Sequence, residues 1–280
     1  MLLLKRIKNS LTSRYKTAKI KARARHKKMR SNSIDLGNPE AVIWIFGCQR
    51  SGTTFLENIF RHDLDSVVFG EFSELTIAGR KTVLTSPNEL VNIVSNKNAK
   101  YAVIRPLFES DRAIELMNLF PNSIGVWMFR DCPSVVDSMK RKWDKDFFNI
   151  SKLVESDDEN NWRLEKLLAP LNNSIDKVSI DELYAQYWMM RNLIPFEKNI
   201  IDDSRMFFLN YNTLAHYPKY TIGKILDATK KISLWSDFKS NARTSSVNKK
   251  VLHNIESSTI LKINKIMNQL INLSSNQFKP

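Results

Sequence analysis

Thiols and imidazoles are scarce in this 280-residue chain: two cysteines, Cys48 and Cys132, and four scattered histidines, His26, His62, His216 and His253. Two cysteines do not make a disulfide framework, so a reducing, cytoplasmic compartment is expected. No C-x-x-C or H-x-x-x-H spacing occurs, and no metal site is expected. The apolar run 1–4 is too short to span a bilayer or to form the apolar region of a signal peptide. Internal repeats are also absent. The length suits one large α/β domain or two small ones, with a core that needs no covalent staples.

The longest run without acidic residues is at the N-terminus. Residues 1–30 hold 12 Lys and Arg and no Asp or Glu, which leaves 31 basic against 29 acidic residues elsewhere. The formal charge of +14 therefore belongs to an N-terminal arm on a nearly neutral body, and a uniformly basic nucleic-acid-binding domain is disfavoured. Residues 1–36 also lack Gly and Pro, and Leu4, Ile7, Leu11, Tyr15, Ala18 and Ala22 recur at steps of three and four. That spacing predicts a basic helix over 1–36. It could lie on an anionic membrane surface at the inner face, serve as a transit peptide, or be a solvated tail. Residues 37–280 form the domain proper.

In the domain, strands are expected at 41–46, 67–69, 100–106, 122–129 and 206–209. Helices are expected at 53–61, in the second half of 80–98, and at 111–120, 134–141, 181–192, 218–231 and 251–273. Strands alternating with helices imply a parallel sheet covered on both faces. Residues 143–180 are rich in Asn, Asp and Ser and form a candidate acceptor-binding insertion. The aromatic stripe of Tyr184, Tyr187 and Trp188 is assigned to the core.

The stretch from Ile45 to Leu56, IFGCQRSGTTFL, organises the rest. A buried strand, a glycine-bounded turn and a helix aim backbone N–H groups and a helix N-terminus at an anion. Gly47 and Gly52 have the spacing of the P-loop glycine pair, but Thr53 stands where a nucleotide triphosphatase has lysine, and the cation, Arg50, lies inside the loop. The lysine that reaches the terminal phosphates of a triphosphate is missing.

Arg50-Ser51-Gly52-Thr53-Thr54 resembles the 5′-phosphosulfate loop of sulfotransferases that use 3′-phosphoadenosine 5′-phosphosulfate (PAPS), [KR]-S-G-[TS]-[TS]. The run from Phe129 to Met139 resembles the 3′-phosphate motif of that family: a strand ending in Arg130-Asp131, a proline turn at Pro133, and Ser138 eight positions after Arg130. The plainer alternative for Arg130-Asp131 is a local ion pair. Two such loops in the right order are far more specific than either alone. Weaker similarities are Tyr211, in a segment that lacks the family's acidic pair, and Ser245 to Lys250, which resembles the last cofactor loop without its usual glycine and tryptophan and implies Lys249 and Lys250 as contacts. The resemblance covers roughly residues 41–270 and implies a P-loop-like three-layer α/β sandwich.

Gly70-Glu71, 21 residues beyond Arg50, and Arg105-Pro106 are similar to segments of the tyrosylprotein and carbohydrate branches. The resemblance implies Glu71 as general base, with Glu74 and His62 as rivals, and Arg50 and Arg105 as stabilisers of developing charge. It implies Arg50, Ser51, Gly52, Thr53, Thr54, Arg130, Ser138, Tyr211 and Lys249 as contacts of PAPS. It implies transfer of a sulfuryl group to an acceptor hydroxyl of a saccharide or glycolipid, with no metal. The alternatives are a P-loop kinase or nucleotide triphosphatase, and a catalytically silent membrane-associated binding protein of the same fold.

Overall fold

A computed structural model describes Met29 and residues 35–77, 83–143, 179–229 and 250–278. The arm, except for Met29, Asp35 and Leu36, lies outside the described residues, as do Arg80, most of the 143–180 insertion and Lys249.

Five strands form one parallel sheet: β1 (Ala41–Gly47), β2 (Ser66–Phe69), β3 (Tyr101–Ile104), β4 (Ser123–Phe129) and β5 (Met206–Asn210). Their order across the sheet is β2-β3-β1-β4-β5. Side chains alternate between the faces, and both faces are buried. Val42, Trp44 and Phe46 of β1 join one core, with Trp127 and Phe129 of β4. Ala41, Ile43 and Ile45 join the other, with Ile124, Val126 and Met128.

Helices cover each face. The first core takes up α2 (Pro87–Ser95), α3 (Ala113–Met117), α4 (Cys132–Trp143), α5 (Ile180–Glu197) and α8 (Ser257–Gln277). The second takes up α1 (Thr53–His62), α6 (Tyr211–His216) and α7 (Pro218–Ala228). Local signals set several starts. Ser86 caps α2 by accepting from the Glu89 N–H, with Pro87 in the first turn, and Ser179 caps α5 by accepting from Glu182 N–H.

Two expected helices begin later than their periodicity suggests. Residues 107–112 form a 3-10 turn, and α3 starts only at Ala113. Tertiary bonds occupy that turn: Ser110 Oγ accepts from Gly47 N–H at 3.3 Å, and Glu109 Oε1 accepts from Leu84 N–H at 2.6 Å. Residues 251–256 are not helical either. The His253 and Glu256 N–H groups donate to the carboxylates of Asp181 and Glu182, so α8 starts at Ser257. The short helix α6, capped by Asn210, had no counterpart among the expected elements.

Strand order reverses at β1, whose neighbours β3 and β4 lead to opposite sides of the sheet. Ligands of open α/β sheets bind outside the carboxyl ends of the strands at such a point. The loop from Cys48 to Gly52 stands there.

Candidate active site

The chain leaves β1 through two residues with positive φ, Arg50 at 67° and Gly52 at 97°. Positive φ is uncommon for a residue with a side chain and recurs at functional sites. Gly52 is the N-cap of α1 and offers no side chain to close its first turn; Phe55 and Leu56 N–H bond back to its carbonyl at 2.9 and 3.1 Å. The leading N–H groups of α1 thus have no side-chain cap, the arrangement that receives an anion. Ser51 and Thr53 are buried and Thr54 is exposed. A Cβ at Gly52 would overlap the Tyr211 ring, so only glycine lets that ring seat on the loop.

The second loop follows β4. Asp131 Oδ1 accepts from Ser134 N–H at 2.8 Å and so caps α4. Its other oxygen is 3.9 Å from Arg130 Nε, a loose ion pair. The Arg130 carbonyl accepts from Trp188 Nε1 at 3.0 Å, and its guanidinium lies 4.5 Å over the centre of the Tyr211 ring. Ser138, two turns along α4, accepts from Arg50 Nε at 3.1 Å. Arg50, Gly52, Arg130, Ser138 and Tyr211 therefore meet at one place.

Positive charge is crowded there. The pKa of Arg50 is pushed down, first by burial and then by the charges of Arg141 and Arg130. That of Arg130 is pushed down too, by burial first, with Asp131 opposing and Arg141 adding. Arg141, one turn beyond Ser138 on α4, was not singled out in the sequence; its Nη2 lies 3.0 Å from Asp137 Oδ2. Cations that repel one another in a partly dry site fit an anionic ligand, because its charge relieves both burial and repulsion.

Glu71 lies two residues past β2. Arg105 N–H donates to Phe69 O at 3.0 Å, which brings the side chains of Arg105 and Glu71 together: Nη1 to Oε2 is 3.1 Å. Glu71 Oε1 is buried and has no hydrogen-bond partner among the described residues. Burial pushes the Glu71 carboxyl up, Arg105 pulls it back, and the net direction is upward. Arg105 is bound on its other side as well, Nε donating to Glu57 Oε2 of α1. Glu57, 3% exposed, also holds Arg61 and was not singled out in the sequence. Its signal there is faint: one acid beside Leu56 on a helix with an apolar face.

The rivals of Glu71 stand elsewhere. His62 ends α1 and bonds to the Asn58 carbonyl at 2.5 Å. It precedes β2, at the amino edge of the parallel sheet, away from the loops. Glu74 is half exposed and pairs at 2.8 Å with Lys97, which also precedes a strand.

Beneath the loop, α5 contributes more than core. Arg191, fully buried, donates to the carbonyls of Leu107 and, at 3.3 Å, Gly47. Tyr187 donates to Gln49 Oε1 at 2.7 Å. With Trp188, these side chains place one turn of α5 under both loops. Arg191 is legible only as a cation one turn past the aromatic stripe. Both cysteines are buried thiols: burial pushes Cys48 up to about 12, against the pull of Arg191, and raises Cys132 as well. Neither is set up as a nucleophile.

Lys249 lies outside the described residues. Lys250 Nζ is 3.8 Å from Asp137 Oδ2, so the chain arrives at α4 beside Ser138. Next to it a cavity of about 270 Å³ is lined by Asp137, Lys140, Lys250 and His253 among others. Its Lys140 is taken by Asp181 at 2.5 Å.

No family model and no curated protein matches this chain. Among solved structures it is similar to a sulfotransferase domain from the curacin biosynthetic pathway, at 13% identity and TM-score 0.48, over 84% of this chain and 98% of that one. It is similar also to a sulfotransferase domain from the Synechococcus PCC 7002 olefin synthase, at 12% identity and TM-score 0.45, over 84% and 97%.

Proposed function

We propose that this chain is a PAPS-dependent sulfotransferase whose acceptor is a hydroxyl of a saccharide or glycolipid. The observation that carries the reading is the 3.1 Å bond from Arg50 to Ser138. It joins the two motifs that resemble the 5′- and 3′-phosphate loops of one nucleotide, although they stand 88 positions apart.

Bound PAPS supplies the sulfuryl group and leaves as 3′,5′-ADP. The chain's residues divide the remaining work. Backbone N–H groups at the start of α1 hold the 5′ side. Arg130 and Ser138 take the 3′-phosphate, with Tyr211 bracing the Arg130 guanidinium and Lys249 adding charge from the last loop. The Arg105 charge is offset by two carboxylates. Arg50 therefore carries the neutralisation of charge developing on the leaving oxygens, and Arg105 holds Glu71. Glu71 removes the acceptor proton through its unoccupied oxygen, a role that a raised carboxyl pKa suits. No step requires a metal, since arginine does the neutralising.

The acceptor class rests on the arm. Twelve cations in residues 1–30 suit attachment to an anionic surface, where lipid-linked saccharides are presented. No helix among the described residues is long and apolar enough to cross a membrane.

The test is transfer of label from [³⁵S]PAPS to pools of glycans, lipids and peptides in excess EDTA. Labelled glycan or glycolipid is expected. Labelled peptide alone would move the acceptor to protein. Activity only with a divalent ion and ATP would favour the kinase alternative.

A further inference from the structure

Glu57 is buried on α1, 48 positions before its partner Arg105. A buried carboxylate is costly unless it is paired and hydrogen-bonded. Both oxygens here are used: Oε1 accepts from Arg61 Nε at 2.6 Å, and Oε2 accepts from Arg105 Nε. Gly70 makes room for this pairing, since a Cβ there would lie 3.1 Å from both Glu57 Oε1 and Arg61 Nη2. Arg105 then has one fixed edge and presents Nη1 to Glu71. The result is a chain Arg61–Glu57–Arg105–Glu71 that runs from α1 to the turn after β2 and ends on Glu71 Oε1, which has no hydrogen-bond partner among the described residues.

We infer that Glu57 is a positioning residue for proton removal: by gripping Arg105 it occupies Glu71 Oε2, fixes the carboxylate, and leaves Oε1 for the acceptor hydroxyl. The inference rests on the reading of Glu71 as the base. A planar guanidinium is suited to this task, because its donors form a rigid fork that can hold two carboxylates at set angles. Without Glu57, Arg105 is free to rotate and to take both Glu71 oxygens at once. A misplaced catalytic group typically costs up to about 100-fold in rate.

The charged and titratable groups around Glu71 are Arg105 beyond β3, Glu57 and Arg61 on α1, and Arg191 and Tyr187 on α5. Glu57 opposes ionisation of Glu71 by like charge. Its neutralisation therefore lowers the pH at which Glu71 titrates, whereas a scaffold residue of no electrostatic consequence leaves that titration in place.

The experiment is a ¹³C-glutamate NMR titration of the full chain, with the Glu71 signal assigned by its loss in Glu71→Gln. In the wild type, the Glu71 midpoint is expected to lie above that of an ordinary glutamate. In Glu57→Gln its midpoint is expected to fall, transfer of label from [³⁵S]PAPS to the acceptor pools to drop at least about 10-fold, and 3′,5′-ADP affinity to hold. Full turnover in Arg105→Lys, which keeps the charge without the rigid fork, overturns the inference. So does a Glu57→Gln protein with unmoved midpoint and full turnover. Full turnover in Glu71→Gln would instead remove the base reading on which the inference stands.

Discussion

Arg50 donates to Ser138 across 88 positions of sequence, and that 3.1 Å bond ties the turn after β1 to the helix after β4. Neither residue has an evident reason to meet the other in a plain strand-to-helix corner. Arg50 reaches Ser138 from a backbone at φ 67°, so the loop holds an unfavoured conformation while presenting this side chain. The Arg130 charge acts on Arg50, so the two cations stand near one another, and the proposed reading puts the nucleotide there.

The loop's shape depends on Gly52. Alanine there would meet the Tyr211 ring and adopt φ near 97°. Gly52→Ala is expected to push Tyr211 off the loop and away from Arg130, weakening 3′,5′-ADP binding at least about 10-fold, in line with the roughly 1–3 kcal/mol stored at such backbone positions. Isothermal titration calorimetry reads the loss. Wild-type affinity in a folded Gly52→Ala protein would mean that the Tyr211 contact plays no part in binding.

With Glu71 as the proposed base, an acid limit on turnover is expected. Its carboxyl is pushed above the ordinary glutamate range, with burial the main cause and Arg105 in opposition. As base it works only when ionised, so kcat is expected to fall with decreasing pH already above that range. Glu71→Gln is expected to lower kcat by at least about 100-fold while 3′,5′-ADP affinity stays near wild type. The same shift has a sign in stability. A carboxyl with a raised folded-state pKa favours folding below its unfolded pKa, and that contribution is lost as pH rises through the folded value. Glu71→Gln is thus expected to melt no lower than wild type at pH 8, and thermal denaturation across pH checks it.

Much of the scaffold was legible because periodicity and loop chemistry agreed. Trp44 and Ile45 lie on opposite faces of β1, and both are buried, as a continuous apolar run requires between two helical layers. Pro133 marked a helix start by a local rule. What could not be read depends on partners far along the chain. Glu57 is one acid in an amphipathic helix until Arg105 is brought to it by the pairing of β2 with β3. Arg191 is one cation on an apolar stripe until the Leu107 and Gly47 carbonyls arrive beneath the loop. The 3-10 turn at Leu107–Arg112 hides for the same reason: helical spacing over 111–120 says nothing of the Gly47 and Leu84 amides that its side chains satisfy.

The arm carries its own prediction. Its cations should bind vesicles containing phosphatidylserine, and binding should weaken as salt rises. Deletion of residues 1–31 should leave turnover of a soluble acceptor intact. Full-length protein that ignores such vesicles at low salt would favour the transit-peptide or solvated-tail alternative.

The central claim is that Arg130 and Ser138 read a 3′-phosphate, the group that separates PAPS from ATP. Calorimetric comparison of 3′,5′-ADP with 5′-AMP tests it most directly. The 3′-phosphate should add about 1.5–3 kcal/mol, the value of a charge-assisted contact, and Arg130→Ala should erase most of that preference. Equal affinity of the wild-type protein for the two nucleotides would contradict the account.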